Sequence, residues 1–336
     1  MTQKKLGSQS FQFPSCPKIQ AWASIAGQKE SEGPLKEYYD VISKDSYFAQ
    51  TSWEQGEQQM QLMALNKLSE KAKLSVHDFQ IIFSGDLLNQ CIGSSFILKN
   101  KNIPHLGLYG ACSTMAESIL LSAMTVDGGY ADNVVAMTSS HFASSERQYR
   151  FPLNYGGQRP PTSQWTVTGS GAVLISLNGH GPRVIGCTVG TVVDLGIQDA
   201  GNMGAVMAPA AAATLKAHFN DFKRSPADYD LIVTGDLGQL GKELLIKLCL
   251  QSGYDIEEKL VDCGTLVFDQ NQDVHCGGSG CGCSAIALCG YFLNSIQNKK
   301  YQRILFCGTG ALLSPTANQQ GLTIPGVCHA VIIEGE

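Results

Sequence analysis

The sequence predicts a layered α/β fold, helix–sheet–helix–sheet–helix (α-β-α-β-α), built from two duplicated halves. Three observations carry this. Strand-like and helical segments alternate along the chain, the pattern that yields parallel pairing with helices on the sheet faces. A shift of 171 residues lays Cys112-Ser113 on Cys283-Ser284, Ala116 on Ala287, Tyr130 on Tyr301, and Val134-Val135-Ala136-Met137 on Leu305-Phe306-Cys307-Gly308. That is about half the chain and far beyond the ~20–50-residue period of solenoids, so it reads as a duplicated domain. Each half also sets a Gly/Cys-rich turn before an apolar helix, which predicts two helices buried between the sheets, starting at Cys112 and Cys283. The division falls at residues 1–180, carrying Cys112, and 181–336, carrying the turn from Gly278 to Ser284.

The elements follow in order. Residues 18–26 read as a buried strand, and 29–52 as polar loop with Gly33-Pro34 as a turn. Met60, Met63, Ala64, Leu68 and Ala72 have helical spacing within 53–73. A β-rich run at 79–83 ends at Ser84-Gly85-Asp86, a helix follows near 92–99, and an apolar approach at 103–109 leads into the Cys112 turn and a helix to about Met124. Residues 133–138 form a strand. The stretch 139–166 is long, polar and Pro/Gly-rich, too long for a plain connector and so a candidate functional loop. Strands 166–177 and 183–189 pair through Asn178-Gly179-His180-Gly181. The second half repeats the order: helix 205–222, strand 231–234, helix 242–251, loop 263–282, helix 283–296, and strands 303–307 and 328–334.

Composition narrows the function classes. With 43% hydrophobic and 16% charged residues the chain is globular rather than disordered. A net charge of −5 gives no footprint for nucleic acid. Many of the twelve cysteines, such as Cys187, Cys249, Cys289 and Cys307, lie in apolar runs and read as reduced core thiols of an intracellular protein. Residues 1–10 are polar and basic, with no apolar region of a signal peptide. No run reaches the ~18 apolar residues of a membrane span; the best candidate, 204–215, is short and Ala-rich. Membrane association would therefore need a partner protein.

The chemistry centres on Tyr109-Gly110-Ala111-Cys112-Ser113-Thr114. A small-residue turn sets Cys112 at a helix N-terminus, where unpaired N–H groups and the positive dipole end favour a thiolate. His141 follows the strand 133–138, at the strand end where ligands bind in α/β sheets; a surface-loop histidine is the plainer alternative, as it is for His275. Arg147, Arg150 and Arg159 are half of the chain's six arginines and share one loop. They form either a solvated face or a carboxylate-recognition set, since the planar guanidinium matches a carboxylate bidentately. His275, Cys276, Cys281 and Cys283 lack the paired spacing of a zinc site, and neither a metal nor a cofactor is predicted. Gly85-Asp86 and Gly235-Asp236 read as turns whose Asp caps the next helix.

The Cys-bearing turn, the duplication and the strand-rich C-terminus resemble the thiolase/ketoacyl-synthase superfamily over about residues 18–334. Gly110-Ala111-Cys112-Ser113 resembles the nucleophile turn of type III condensing enzymes, and Gly169-Ser170-Gly171-Ala172-Val173 their small-residue run into a strand. Gly278-Ser279-Gly280-Cys281-Gly282-Cys283-Ser284 has the spacing of the Gly-x-x-x-Gly-x-Ser turn of that superfamily. More closely, the whole chain resembles a family of thiolase-like sporulation proteins of endospore-forming bacteria, associated with dipicolinic acid movement across the spore inner membrane.

Two departures qualify the enzymatic side of this resemblance. Where the enzymes have a catalytic His or Asn in the Gly-x-x-x-Gly-x-Ser turn, this chain has Ser279; where type III enzymes place His after the strand 231–234, it has Gly235-Asp236. Acyl transfer by cysteine needs an acid/base partner, and serine is not a proton shuttle near neutral pH. The resemblance therefore implies a degenerate catalytic set and a binding role. The expected ligand is dipicolinic acid (pyridine-2,6-dicarboxylate), as free acid or calcium salt, held above Cys112 by His141, Arg147 and Gly278-Ser279-Gly280. The expected partners are other membrane proteins of the same spore transport complex and a second copy of the chain, pairing through the strand 133–138, with the protein peripheral to the spore inner membrane. Two alternatives stay open: a Cys112-dependent acyltransferase or condensing enzyme acting on acyl-CoA, and a structural subunit with a vestigial pocket.

Overall fold

Ten strands frame the computed structural model, which describes residues 4–149 and 159–336. They are β1 (Lys18–Ala26), β2 (Ile81–Gly85), β3 (His105–Gly107), β4 (Val134–Ser140), β5 (Gly169–Ser176), β6 (Arg183–Thr188), β7 (Leu231–Thr234), β8 (Leu260–Asp262), β9 (Arg303–Ala311) and β10 (Gly326–Glu334). Their hydrogen-bonded order is β8-β7-β9-β10-β6-β1-β5-β4-β2-β3. Read from each edge inward, the first five run 3-2-4-5-1 and the last five 8-7-9-10-6, the same topology twice. The sets join where Lys18 pairs with Arg183. In each, three strands are parallel and the fourth, β5 or β10, is antiparallel.

Side-chain alternation along the strands builds the layers. Val134 and Ala136 of β4 face a central core with Ile304 and Phe306 of β9, while Val135 and Met137 face outward. Parallel strands are covered on both faces, and four helices do the covering outside. α1 (Trp53–Ala72) and α2 (Ile92–Leu98) lie over the first set; α5 (Met203–Phe222) and α6 (Gly238–Gln251) lie over the second. Between the sets run α3 (Thr114–Asp127) and α8 (Cys281–Ala287), with the short α7 (Cys263–Val267) packed on α8. Ala116, Ile119 and Ala123 of α3 share one core with Ile286 of α8 and with inward residues of both sheets. This is the expected five-layered arrangement. Close packing requires bare backbone at Gly171, where a Cβ would lie 2.7 Å from the Ala285 carbonyl oxygen.

The internal repeat has a different register from the one expected. Outer elements repeat at Lys73 and Lys223, left-handed residues that end α1 and α5, each followed by a Ser-x-x-Asp capping box. At the buried helices, Ala111 (φ 50°) and Gly280 (φ 97°) form equivalent turns. Ser140 accepts from the Gly282 N–H at 3.0 Å, as Gly310 packs on the backbone of Gly110 and Ser113. Cys112 thus corresponds to Cys281, not Cys283. A π turn, Leu288–Phe292, then carries one extra residue before α9 (Leu293–Gln297). Sheet pairing of Ile81 with Val134 and of Leu231 with Ile304 sets Val134 on Ile304 rather than Leu305. A one-residue slip exchanges the faces of a strand, so the 171-residue register would have turned the inward residues of β4 outward.

Three further expectations change. The strands 166–177 and 183–189 do not pair as a hairpin: β1 lies between β5 and β6 and pairs with both. The stretch 139–166 contains a helix, α4 (Phe142–Tyr149). And β4, expected to pair with a second subunit, is buried throughout and hydrogen-bonded on both sides, to β2 and β5. The edge strand beside the Cys112 turn is β3, which carries exposed Leu106 and lies between exposed Phe96 and Tyr109.

Candidate functional site

A cavity of about 240 Å³ opens above Cys112. Both halves line it. Leu87 comes from the loop after β2, Ser145 and Tyr149 from α4, Met203 and Met207 from α5, and Ala311 from the end of β9. Thr166 and Ser279 face it from a short parallel ribbon in which Trp165 pairs with Gly278 and Thr166 with Ser279. Strand ends and helix starts converge here, as the switch-point rule for α/β sheets expects.

Cys112 sits in a 3₁₀ turn, Ala111–Ser113, ahead of α3. The left-handed backbone at Ala111 is unusual for a residue with a Cβ and marks a turn held by its surroundings. The thiolate expected at this helix start is disfavoured. The Cys112 thiol is desolvated and lies near the Asp236 carboxyl; burial first, and that neighbour second, push its pKa well above the usual thiol range. The Gly280 N–H works in the opposite direction and is outweighed. Desolvation beside a second acidic group prevails over the partial charge of a helix end.

Asp236 organises the floor. Its Oδ1 accepts from Thr309 Oγ1 at 2.9 Å, and its Oδ2 accepts from the Gly280 N–H at 2.9 Å and Ser279 Oγ at 3.2 Å. It is fully buried, and burial raises its own pKa. The expected capping role holds for Asp86, which accepts from the Leu88 and Ser94 N–H groups, but not for Asp236. The start of α6 is held instead by Asp262, whose oxygens accept from the N–H groups of Leu237 (2.8 Å) and Gly238 (2.9 Å).

The structure brings Cys112, Gly278, Ser279 and Gly280 together and leaves His141 and Arg147 outside the cavity lining. His141 is buried, donates from Nε2 to the Ser46 carbonyl at 2.7 Å, accepts the Ser144 N–H at Nδ1, and borders a separate pocket beside Trp165. Arg147 projects to the surface, where Nε donates to Glu54 at 3.0 Å and the guanidinium stacks on Trp53. Arg159 stacks on Trp165 and bonds Asp273. Arg150 lies outside the described residues. His275 donates to the Pro160 carbonyl at 2.8 Å, behind the wall. Sequence reasoning missed Ser145, Tyr149 and the role of Asp236. The strand-end argument applied to His141 fits Asp236 equally, since only Gly235 separates it from the end of β7.

A family model described as Stage V sporulation protein AD matches residues 7–334. The chain is 42% identical over 331 residues to Stage V sporulation protein AD of Bacillus subtilis (strain 168), covering 98% of each. Among solved structures it is similar to 3-oxoacyl-[acyl-carrier-protein] synthase III of Aquifex aeolicus VF5, at 13% identity over 95% of this chain and 99% of that one, with TM-score 0.57. An OleA variant of Xanthomonas campestris matches at 13% identity over 96% and 99%, with TM-score 0.61. At such identity the structural likeness establishes a shared fold and no more.

Proposed function

The chain belongs to the stage V sporulation protein AD family, and from that premise we propose that it is a binding protein, holding dipicolinic acid in the cavity above Cys112 and serving its uptake into the developing spore. The observation that carries a binding role is the place of Asp236, which accepts from Ser279 Oγ and the Gly280 N–H at the cavity floor, where type III enzymes place a histidine. A desolvated thiol near a buried carboxyl is poorly poised for attack, and Ser279 Oγ donates its hydrogen bond to that same carboxyl. The cavity, at about 240 Å³, lies just below the roughly 300–1,000 Å³ of pockets for larger ligands and suits a single ring. Ser145 Oγ is buried there without a hydrogen-bond partner, a donor available to a carboxylate. The free acid and its calcium salt are both candidates.

One feature favours the enzyme alternative: the Gly-Ala-Cys-Ser turn keeps its shape, with Ala111 left-handed. Two measurements separate the readings. Calorimetric titration is expected to show saturable binding of pyridine-2,6-dicarboxylate and much weaker binding of the 2,4-isomer. Mass spectrometry after incubation with acetyl-CoA is expected to show no adduct on Cys112. A stoichiometric acyl-Cys112 that turns over would replace the binding role with acyl transfer.

Among the described residues no helix is long and apolar enough to cross a membrane. We place the protein inside the cell, peripheral to the spore inner membrane, through other membrane proteins of its transport complex. We further assign the self-association surface to β3, where Leu106 is 54% exposed on an edge strand. Leu106→Glu is expected to shift a dimer to monomer in sedimentation; a dimer that survives the change rules out this edge.

A further inference from the structure

Behind the cavity wall lies a buried polar network that binding and catalysis have not so far involved. Glu57 of α1 and Asp86 after β2 are both fully buried. Glu57 accepts from Ser139 Oγ of β4 at 2.8 Å and from Ser144 Oγ of α4 at 2.7 Å. Gln61 Nε2 then links Ser139 Oγ (2.6 Å) to Ser94 Oγ (3.2 Å). Ser94 donates to Asp86 from both its hydroxyl (2.8 Å) and its N–H (2.7 Å), and the Leu88 N–H adds a third bond at 3.0 Å. The chain of bonds runs from α4 to the Leu87 loop, the two elements that form one side of the cavity. On the cavity side they are tied again, because Gln148 Nε2 and Tyr149 Oη both donate to the Leu87 carbonyl at 2.8 Å.

Two carboxyls joined through one hydrogen-bonded network in a dry interior are not both ionised near neutral pH. Burial and the nearby Asp86 push Glu57 up to about 8. The titratable groups facing the pair are Glu54 on α1, Cys91 beyond Asp86 and Cys281 at the head of α8; the nearby cation, Arg147, is engaged by Glu54 at the surface, and burial disfavours charge on His141 beside Ser144. From β4 and α4 the facing groups are the hydroxyls of Ser139 and Ser144. The set is also short of a donor, since Gln61 Oε1 is buried without a partner.

We propose that Glu57 and Asp86 form a one-proton carboxyl pair that positions the α4 and Leu87 walls of the cavity, and that loss of this proton loosens both walls together. The sign follows from linkage. A carboxyl raised in the fold holds its proton between its ordinary value of 4.5 and about 8, so order in the walls is greatest on the acid side and declines as pH rises through that window. The effect on ligand affinity rests on the binding role proposed above; the effect on the walls does not.

The test is hydrogen exchange, corrected for intrinsic rates, on peptides covering 87–94 and 142–149 at about pH 6.5 and about pH 9. Wild-type protection is expected to fall roughly tenfold at the higher pH in both peptides. Glu57→Gln, which keeps the shape and cannot ionise, should show no such fall; Asp86→Asn is the second variant should the first fold poorly. Equal wild-type protection at the two pH values overturns the pair, as does a Glu57→Gln protein that loses protection like wild type. Dipicolinate titration under the same conditions separates the two ideas. Affinity that drops with protection supports both; no binding at either pH, with the protection change intact, removes the ligand and keeps the pair.

Discussion

Asp236→Leu is expected to cost the fold at least about 3 kcal/mol. The leucine removes the acceptor from the Thr309 hydroxyl, the Gly280 N–H and the Ser279 hydroxyl at once. Each buried donor left unpaired costs ~1–3 kcal/mol, while the relief of a buried charge returns part of that total. Asp236→Asn keeps one acceptor oxygen and should cost less than half as much. Urea unfolding measures both, with an unchanged slope as the sign that only stability moved. A leucine variant as stable as wild type would mean that the floor is held by packing and that Asp236 is dispensable.

Cys112→Phe is expected to weaken dipicolinate binding by a hundredfold or more, a loss of about 2.7 kcal/mol. The ring would fill the base of a cavity of about 240 Å³. Cys112→Ala removes the thiol and leaves the space, so its affinity should stay within a few-fold of wild type. Arg147→Ala serves as the control. The sequence suggested this arginine as an anchor, but its guanidinium is engaged by Glu54 and Trp53, and its loss should leave affinity near wild type. If Cys112→Ala abolishes binding in a folded protein, the sulfur contacts the ligand. If Arg147→Ala does so, the guanidinium leaves Glu54 when ligand enters.

The legible parts of this chain were those written in local pattern. The alternation of strands and helices, the duplicated order and the Cys112 turn all came from neighbouring residues. What was missed depended on partners far away in sequence. The helix end at Cys112 argued for a thiolate; burial, together with the Asp236 carboxyl brought in from the other half, works against it. Arg147 was misplaced for a related reason. With 139–166 read as loop, no face could be assigned; in α4, Ser145 and Tyr149 lie one turn apart on the cavity side, and Arg147 between them points away. His141 sits at a strand end as expected, but its ring turns back to Ser46. The register of the repeat failed at the π turn, Leu288–Phe292, which leaves no compositional trace.

The cavity's composition from both halves also bears on how the molecule is made. Its walls extend in sequence from Leu87 to Leu313, and the ribbon under it joins Trp165 to Gly278. Contacts so distant along the chain close late in folding, after the local units have formed. A ribosome-bound chain still short of β9 lacks Ala311 and has no finished pocket. Whatever molecule settles there therefore selects completed chains over partial ones, and in doing so clamps the two halves into a single cooperative unit.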